Sequence, residues 1–432
     1  MSPEPAPLRP AQRVLGFWSL LTLGINGIVG VGIFLVPGQL ARAIAGPASA
    51  LAFVVTGALL LPVAWTYGRL GSAYPEDGGP YVWARVALGE RFAFGVGFVA
   101  FASAVLSTAA VISALGEYLA PELGFRSAEA RWGFQLVAAV AFSCVTLLGL
   151  RLSAGVWSLL TVLKLVPLAV LAWVGLSLAG TSAPASHAGW DAAGLGRAAL
   201  LAVFPLQGFE IVPVPAGEAR GGRRTVLAAT LLSLGFAVAL YVLVQLACAY
   251  TLPDLADSAA PVVEAGTRIT HGLGQGGFAA GANVSAIGIA FGMFAMTPRY
   301  LAALGTPSLL GAELARERRG VPTRSLLVTT AGVLLLVSSS TLTGLFVLSS
   351  LAVLLQYAVS AASLFRLASR RERGLGKLDQ VLAPCTLLAI AVLARGARPV
   401  EVLTLGGILL AGFALLGLRR ARARRAEARR SL

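Results

Sequence analysis

Runs of about twenty apolar residues, the length of helix that crosses roughly 30 Å of hydrocarbon, recur along this chain with short polar connections between them. Twelve can be read, at about 16–40, 48–70, 93–116, 133–150, 154–179, 197–218, 225–250, 279–303, 325–342, 344–366, 379–395 and 399–418. A chain built this way has few folds open to it. In lipid every backbone N–H and C=O needs a partner within the protein, which leaves helices for runs of this length. Only 12% of the 432 residues are charged, about half the share of a soluble protein. The two longest connections, 180–196 and 251–278, leave no room for a catalytic domain. The expectation is an all-α integral membrane protein. A cytosolic enzyme, a disordered regulator and a secreted disulfide scaffold are excluded.

The net charge of +15 suggests nucleic acid only when basic residues share one face. Here they lie in clusters between apolar runs and at the C-terminus. With the N-terminus cytoplasmic, alternating connections place 26 of the 34 Lys and Arg residues inside and seven outside, leaving Lys164 within a run. Such a bias orients membrane helices. It predicts a multi-pass protein of the cell (inner) membrane with both termini in the cytoplasm. The expected parts are a segment 1–15, a twelve-helix unit over 16–418, and a basic tail over 419–432 lying near anionic lipid. The N-terminal segment lacks the basic-then-apolar form of a signal peptide. Cys144, Cys248 and Cys385 have no disulfide or metal spacing, and His187 and His271 fall in connections. No cofactor, metal, nucleic acid or obligatory protein partner is expected; membrane lipid is.

Two runs are not expected to be continuous helices. The first, LTLGINGIVGVGIFLVPG, holds Gly24, Gly27, Gly30 and Gly32, followed by Pro37. Each interior glycine costs about 1 kcal/mol against alanine, while small residues also serve close helix contacts in membranes. The cluster reads either as a packing face or as an unwound stretch at 28–32. The sixth run, LLAVFPLQGFEIVPVPAGE, is interrupted by Pro205, Gly208, Pro213 and Pro215, with Glu210 just past the break. A mid-helix proline supplies no N–H. An ionisable residue in a membrane run reads as functional by default, and a hydrogen bond between helices is the other reading of Glu210. The breaks stand in the first and sixth runs, one five-helix unit apart, and because five is odd the second set enters the membrane from the opposite side. Interrupted helices at corresponding positions of an inverted repeat point to a transporter's central site. The repeats are expected over about 16–179 and 197–366, with further helices over 379–418.

Four patches extend this pattern: GIVGVGIF (Gly27–Phe34), AYPEDGGPYVWARVALG (Ala73–Gly89), TVLKLVPL (Thr161–Leu168) and FPLQGFEIVPVPAGEAR (Phe204–Arg220). Together they make the chain resemble the amino acid–polyamine–organocation (APC) superfamily of transporters, over about residues 14–418. The resemblance implies the leucine-transporter fold, with two inverted five-helix repeats and two C-terminal helices. It implies that the amides of Gly30, Val31 and Gly32 hold a substrate carboxylate, since a half-helix N-terminus favours an anion. Carbonyls near Gly27, Ile28 and Phe204 are then expected to receive the substrate ammonium. Phe204, in the same broken segment as Gly208, is expected to close over the substrate. Val31 stands where the family usually has a small residue, often serine, so only backbone donors remain there. Pro205 and Gln207 are also atypical.

Lys164 is the lone lysine in a run, in a chain with 32 arginines and one other lysine, Lys377. Ten residues into its helix, it stands about 15 Å deep. Arginine stays charged, whereas a desolvated lysine can release its proton. The resemblance places its ammonium where sodium-coupled relatives bind a cation between the first and eighth helices. Sodium independence follows whether Lys164 exchanges a proton or is a fixed cation on first-helix carbonyls. Gly78 and Gly79 are expected to turn the loop after the second run, with Tyr81 and Trp83 at the cytoplasmic interface. Glu218 with Arg220, Arg223 and Arg224 forms a charge cluster or a plain solvated loop, and Asp254 and Asp257 are loop residues. Asn283 and Ser285 face either a transport path or a neighbouring helix.

The expected function is secondary transport of an amino acid by alternating access, sodium-independent and either proton-coupled or exchanging. A neutral substrate is favoured because the pocket stretches are mainly apolar. The alternatives are a polyamine or cationic amino acid antiporter and a non-transporting amino-acid sensor on the same fold. A membrane enzyme would need a cluster of acids, histidines or metal ligands that the sequence does not offer.

Overall fold

A computed structural model describes residues 15–75, 79–149, 154–178, 191–214, 216, 219–220, 222–272, 275–305 and 310–430. Gly78, His187, Pro215 and Glu218 lie outside the described residues, as do 1–14 of the N-terminal segment and the last two of the tail. The described chain is helical almost throughout. In order come α1 (Phe17–Ile28), α2 (Gly32–Ala43), α3 (Leu51–Ala73), α4 (Pro80–Leu88), α5 (Glu90–Glu122), α6 (Ala128–Leu147), α7 (Ala154–Leu178) and α8 (Ala192–Leu206). There follow α9 (Gly222–Thr251), α10 (Pro261–Ile269), α11 (Gln275–Ala303), α12 (Thr323–Ser339), α13 (Leu342–Ser369), α14 (Lys377–Ala394) and α15 (Pro399–Arg430).

The first predicted run is the pair α1 and α2, bent by 51° at its break. Among the described residues, eight helical segments are long and apolar enough to cross a membrane, and the bent pair makes nine. Three shorter apolar stretches, Thr161–Ser177, Thr323–Ser339 and Pro399–Ala414, coincide with the predicted fifth, ninth and twelfth runs. This is an all-α, multi-pass membrane architecture. Its outward faces agree: α7 exposes Leu159, Val162, Leu163, Val166, Val170 and Trp173, a stripe at helical spacing that suits lipid rather than water.

Apart from short 3-10 turns, three elements among the described residues stand outside the predicted runs. The first is α4, which starts after Gly79 (φ +46°) and stops at Gly89 (φ +93°), two positive-φ positions that glycine tolerates. It packs on α5 and α13, and that contact removes Trp83 from the interface expected for it. Trp83 is 2% exposed and lies edge-on to Tyr67 at 5.2 Å. The second, α10, covers α2, α7, α9 and α11. The third is a hairpin of two short strands, β1 (Glu317–Arg318) and β2 (Val321–Pro322). Helix α15 runs on from the last apolar run through the basic tail to Arg430.

Helices α5 and α13 occupy the centre of the bundle, with most of their crossing segments buried. With α1 and α2 counted as one span and the short α4 and α10 left out, packing joins spans five places apart: α3 with α9, α5 with α11, α6 with α12, and α2 with α8. Ionic contacts gather at two ends. At one end Arg69 donates Nε and Nη2 to Asp379 Oδ1 and Oδ2, both at 2.8 Å, and Tyr74 donates to Glu372 at 2.9 Å. At the other, Arg197 grips Glu401 through two bonds of 2.7 Å, and Arg42 Nε reaches the Ala256 carbonyl at 2.6 Å. The first group lies at run ends and connections that the arginine bias assigns to one side, the second at those assigned to the other.

Asp379 is 2% exposed and its partner Arg69 20%, so the carboxylate depends on the arginine. Removing one partner of a buried pair costs about 3 kcal/mol or more, whereas replacing both with apolar groups is often neutral. Asp379→Ala is expected to lower the unfolding temperature in detergent, and Arg69→Met with Asp379→Leu to restore most of it. A double variant no more stable than Asp379→Ala would show that the pair does not hold α3 to α14.

Candidate functional site

The first break is three residues long. Helix α1 ends at Ile28, Val29 turns out of the helix (φ −73°, ψ 92°), and α2 starts at Gly32. The unwound stretch is thus Val29–Val31, inside the predicted 28–32, with Ile28 and Gly32 as the helix ends on either side. Breaking a helix exposes carbonyls at one end and amides at the other. On the α1 side the Ile25 carbonyl accepts from Val29 N–H at 2.9 Å. The Asn26 carbonyl accepts from Lys164 Nζ at 2.9 Å, and the Ile28 carbonyl from the Tyr241 hydroxyl at 3.0 Å. That hydroxyl also faces the N–H of Gly30. On the α2 side, none of the N–H groups of Gly30, Val31 and Gly32 donates to a backbone carbonyl among the described residues. The Val31 side chain is buried, so these three positions offer backbone donors alone.

The second break falls two residues later than Pro205, which stays inside α8. Gln207 is extended (ψ 159°) and Gly208 takes φ +118°, after which Phe209–Ile211 form a 3-10 turn. The Gly208 N–H donates to Glu210 Oε2 at 2.7 Å instead of closing a helical bond to Phe204, whose carbonyl is left off the ladder. Glu210 Oε2 accepts a second bond, from the Tyr357 hydroxyl at 3.1 Å. No regular second half-helix follows among the described residues up to 214, and Pro213 withholds the N–H that one would need.

The two breaks touch. A Cβ on Gly208 would run into the Gly27 carbonyl, and one on Gly27 would sit 2.9 Å from the Gly208 oxygen. One turn on, a Cβ on Gly32 would come 2.9 Å from Pro205 Cβ and 3.2 Å from the Phe204 ring. Gly30 differs, because its Cβ would meet only Ile289 at 3.6 Å and the Ile28 oxygen at 3.8 Å. The structure therefore brings Gly27, Ile28, Gly30, Val31, Gly32, Phe204, Gly208 and Glu210 to one place, with Lys164 at its edge on α7. Lys164 is 3% exposed although its neighbour Leu163 faces outward. The Phe204 ring stacks on Phe346 at 4.2 Å.

Several side chains here carried no signal in the sequence. Tyr241, Tyr67 and Tyr357 lie within apolar runs like any core aromatic. Only the need of a buried hydroxyl for a partner hints at more. The Tyr67 hydroxyl accepts from Gln356 at 2.9 Å and Ser360 at 3.2 Å. Gln207 Nε2 lies 3.4 Å from Ser107 Oγ and 3.3 Å from Ser349 Oγ, which are 2.6 Å apart. Of the eighth-run pair, Asn283 donates to Glu122 at 2.7 Å, beside a cavity of about 670 Å³ away from the breaks, and Ser285 is buried. Among the described residues no three His, Cys, Asp or Glu side chains converge as a metal site requires.

A family model described as amino acid permease matches residues 15–415, a span that contains both breaks and Lys164. The chain belongs to the amino acid permease family. An uncharacterised transporter of Mycobacterium tuberculosis is 30% identical over 402 residues, 88% of this chain and 86% of that protein. Cationic amino acid transporter 4 of Homo sapiens is 28% identical over 271 residues, covering 56% of this chain and 41% of its own length. Cationic amino acid transporter 7, chloroplastic, of Arabidopsis thaliana is 26% identical over 273 residues, 58% of this chain and 47% of its own. The family and these relatives are transporters rather than enzymes, and membership implies an amino acid as the small-molecule substrate.

In this permease the two contact glycines and Gly30 make a controlled comparison. Gly208→Ala combines an unfavourable φ with a clash against the Gly27 backbone, and is expected to cost at least about 1–3 kcal/mol by thermal unfolding. Gly30→Ala is expected to unfold at the wild-type temperature. Equal stability of the two variants would mean that the breaks are not in contact.

Proposed function

We propose that this permease carries a neutral amino acid across the cytoplasmic membrane by alternating access, holding the zwitterion at the two breaks. The observation that carries the reading is the contact of Gly27 with Gly208 beside three consecutive amides without backbone acceptors. The N–H groups of Gly30, Val31 and Gly32, at the positive end of α2, receive the carboxylate. The ammonium reaches the carbonyls of Gly27, Ile28 and Phe204, so Tyr241 yields part of its hold on Ile28. Phe204 and Gly208 shape the wall beside it.

Packing between spans five places apart supports two inverted repeats. The nine long spans and the three shorter apolar helices support twelve, an even number that leaves both termini on one side, and the arginine bias makes that side the cytoplasm. Lys164, donating to Asn26, supplies the positive charge that a sodium ion would otherwise bring, which makes transport sodium-independent and leaves protons or a second amino acid as the coupled species. Differential affinity of the outward and inward states for these ligands shifts their populations.

The names of the human and Arabidopsis relatives favour a second reading, a cationic substrate. Against it, Glu210 is the carboxylate at the breaks among the described residues, and its Oε2 is already held by Gly208 and Tyr357.

Protein reconstituted in liposomes with an imposed pH gradient tests both readings. Labelled neutral amino acid is expected to accumulate and labelled arginine is not; the reverse establishes the cationic reading. Replacing sodium by choline is expected to leave uptake unchanged, and a large loss would remove Lys164 from the cation role. Lys164→Ala is expected to flatten the dependence of uptake on pH, whereas an unchanged profile would leave Lys164 a fixed structural cation. Gly30→Leu, which fills the space above the amides, is expected to abolish substrate binding in thermal-shift titrations while Gly30→Ala retains it. Undiminished binding to Gly30→Leu would refute the amide cradle.

A further inference from the structure

On the periphery, remote from the breaks, α4, α13 and α14 leave a groove of about 680 Å³ lined by Leu88, Ala362, Phe365, Arg366, Pro384 and Leu387. Its walls are apolar, and Phe365 and Leu387 are 47% and 41% exposed. The groove carries one charge. Arg366 makes no side-chain hydrogen bond or ion pair among the described residues. Ser369, also at the rim, already donates to the Phe365 carbonyl at 2.8 Å. Arg370 is occupied with Glu372 at 3.6 Å.

Depth decides what can fill this groove. The 28 residues of α13 make about 42 Å of helix, longer than roughly 30 Å of hydrocarbon. Arg366, three residues from the end of α13, therefore stands at headgroup level. Ala362 lies one turn deeper, and Leu387, ten residues into α14, lies about 15 Å from that helix's start. The groove thus runs from a cation at the headgroups into the hydrocarbon. An acyl chain alone matches the walls and leaves the guanidinium uncompensated. A zwitterionic lipid brings its own ammonium. A phosphate with net negative charge meets the guanidinium with paired N–H···O bonds. Arg371 in the neighbouring connection and Lys377 at the start of α14 add to the attraction.

We propose that this groove is a binding site for one anionic phospholipid, with an acyl chain between α4, α13 and α14 and the phosphate on Arg366. The full-length protein, purified in detergent, can be titrated with phosphatidylglycerol or phosphatidylcholine of the same chains and bound lipid counted by native mass spectrometry. Phosphatidylglycerol is expected to be retained in preference to phosphatidylcholine. Arg366→Gln is expected to weaken it about fivefold, the loss of one basic residue at an anionic surface. Leu387→Trp, which fills the deep end and keeps the arginine, is expected to weaken it as well, and thermal unfolding of both variants confirms that they fold. Equal retention of the two lipids, or unchanged affinity in either folded variant, would overturn the site. Displacement of the lipid by inorganic phosphate alone would reduce it to a simple anion site and overturn the acyl-chain part.

Discussion

A backbone polar group in hydrocarbon must find a partner inside the protein, and each unmet one costs several kcal/mol. An unbroken helix meets this demand by itself, so a break at membrane depth survives only where neighbours supply what the helix withdraws. Here the supply is specific. Lys164 from α7 takes the Asn26 carbonyl, Tyr241 from α9 takes the Ile28 carbonyl, and Glu210 takes the Gly208 N–H. The same support continues along α2, where Tyr118 donates to the Phe34 carbonyl and Gln245 to the Pro37 carbonyl at 3.2 Å. These donors come from α5, α7 and α9, so the broken pair is built into the bundle by polar side chains of three other helices.

This division of labour explains what the sequence could tell. Glycines at 24, 27, 30 and 32 and prolines at 205 and 213 are local statements about helix propensity, and both breaks were legible from them. The contact between Gly27 and Gly208 was legible only through topology, because the two residues are far apart in sequence. Tyr241 was not legible. In a run such as LGFAVALYVLVQLACAY a tyrosine reads as bulk, and its role depends on the carbonyl that faces it from another helix. Trp83 failed for a related reason: an aromatic residue near a loop suggests a membrane interface, but α4 folds back onto α5 and α13 and buries it. Of the residues that interrupt the sixth run, Gly208 turns the chain and Pro205 does not, since a proline near the end of a helix removes one hydrogen bond without turning it.

The last two helices are fastened differently from the rest. Asp379 on α14 is held by Arg69 on α3, and Glu401 on α15 by Arg197 on α8, each through two short bonds and at opposite ends of the bundle. Apolar packing within lipid gives little orientation, because acyl chains compete equally for the same surfaces. A bidentate pair fixes both position and angle. Both anchors reach helices next to the breaks, α3 beside α8 and α8 itself, so α14 and α15 are tied to the elements that frame the site.

Charge at the first break carries the last step. The C-terminal end of α1 bears partial negative charge and the N-terminal end of α2 partial positive charge, and only Val29–Val31 separate them. A zwitterion laid across this gap, ammonium toward α1 and carboxylate toward α2, complements both ends at once. Lys164 already occupies the α1 end, on Asn26. Two cations about 5 Å apart repel by about 3 kcal/mol at an effective dielectric of roughly 20. A charged Lys164 therefore penalises the incoming ammonium, and a neutral one does not. On the proposed reading this links proton to substrate without any residue that touches both, because they share one helix end. On the same reading the carboxylate is unaffected by the exchange, since its proposed donors are backbone amides that cannot titrate, and the proposed cradle keeps its grip while the charge on the opposite side changes.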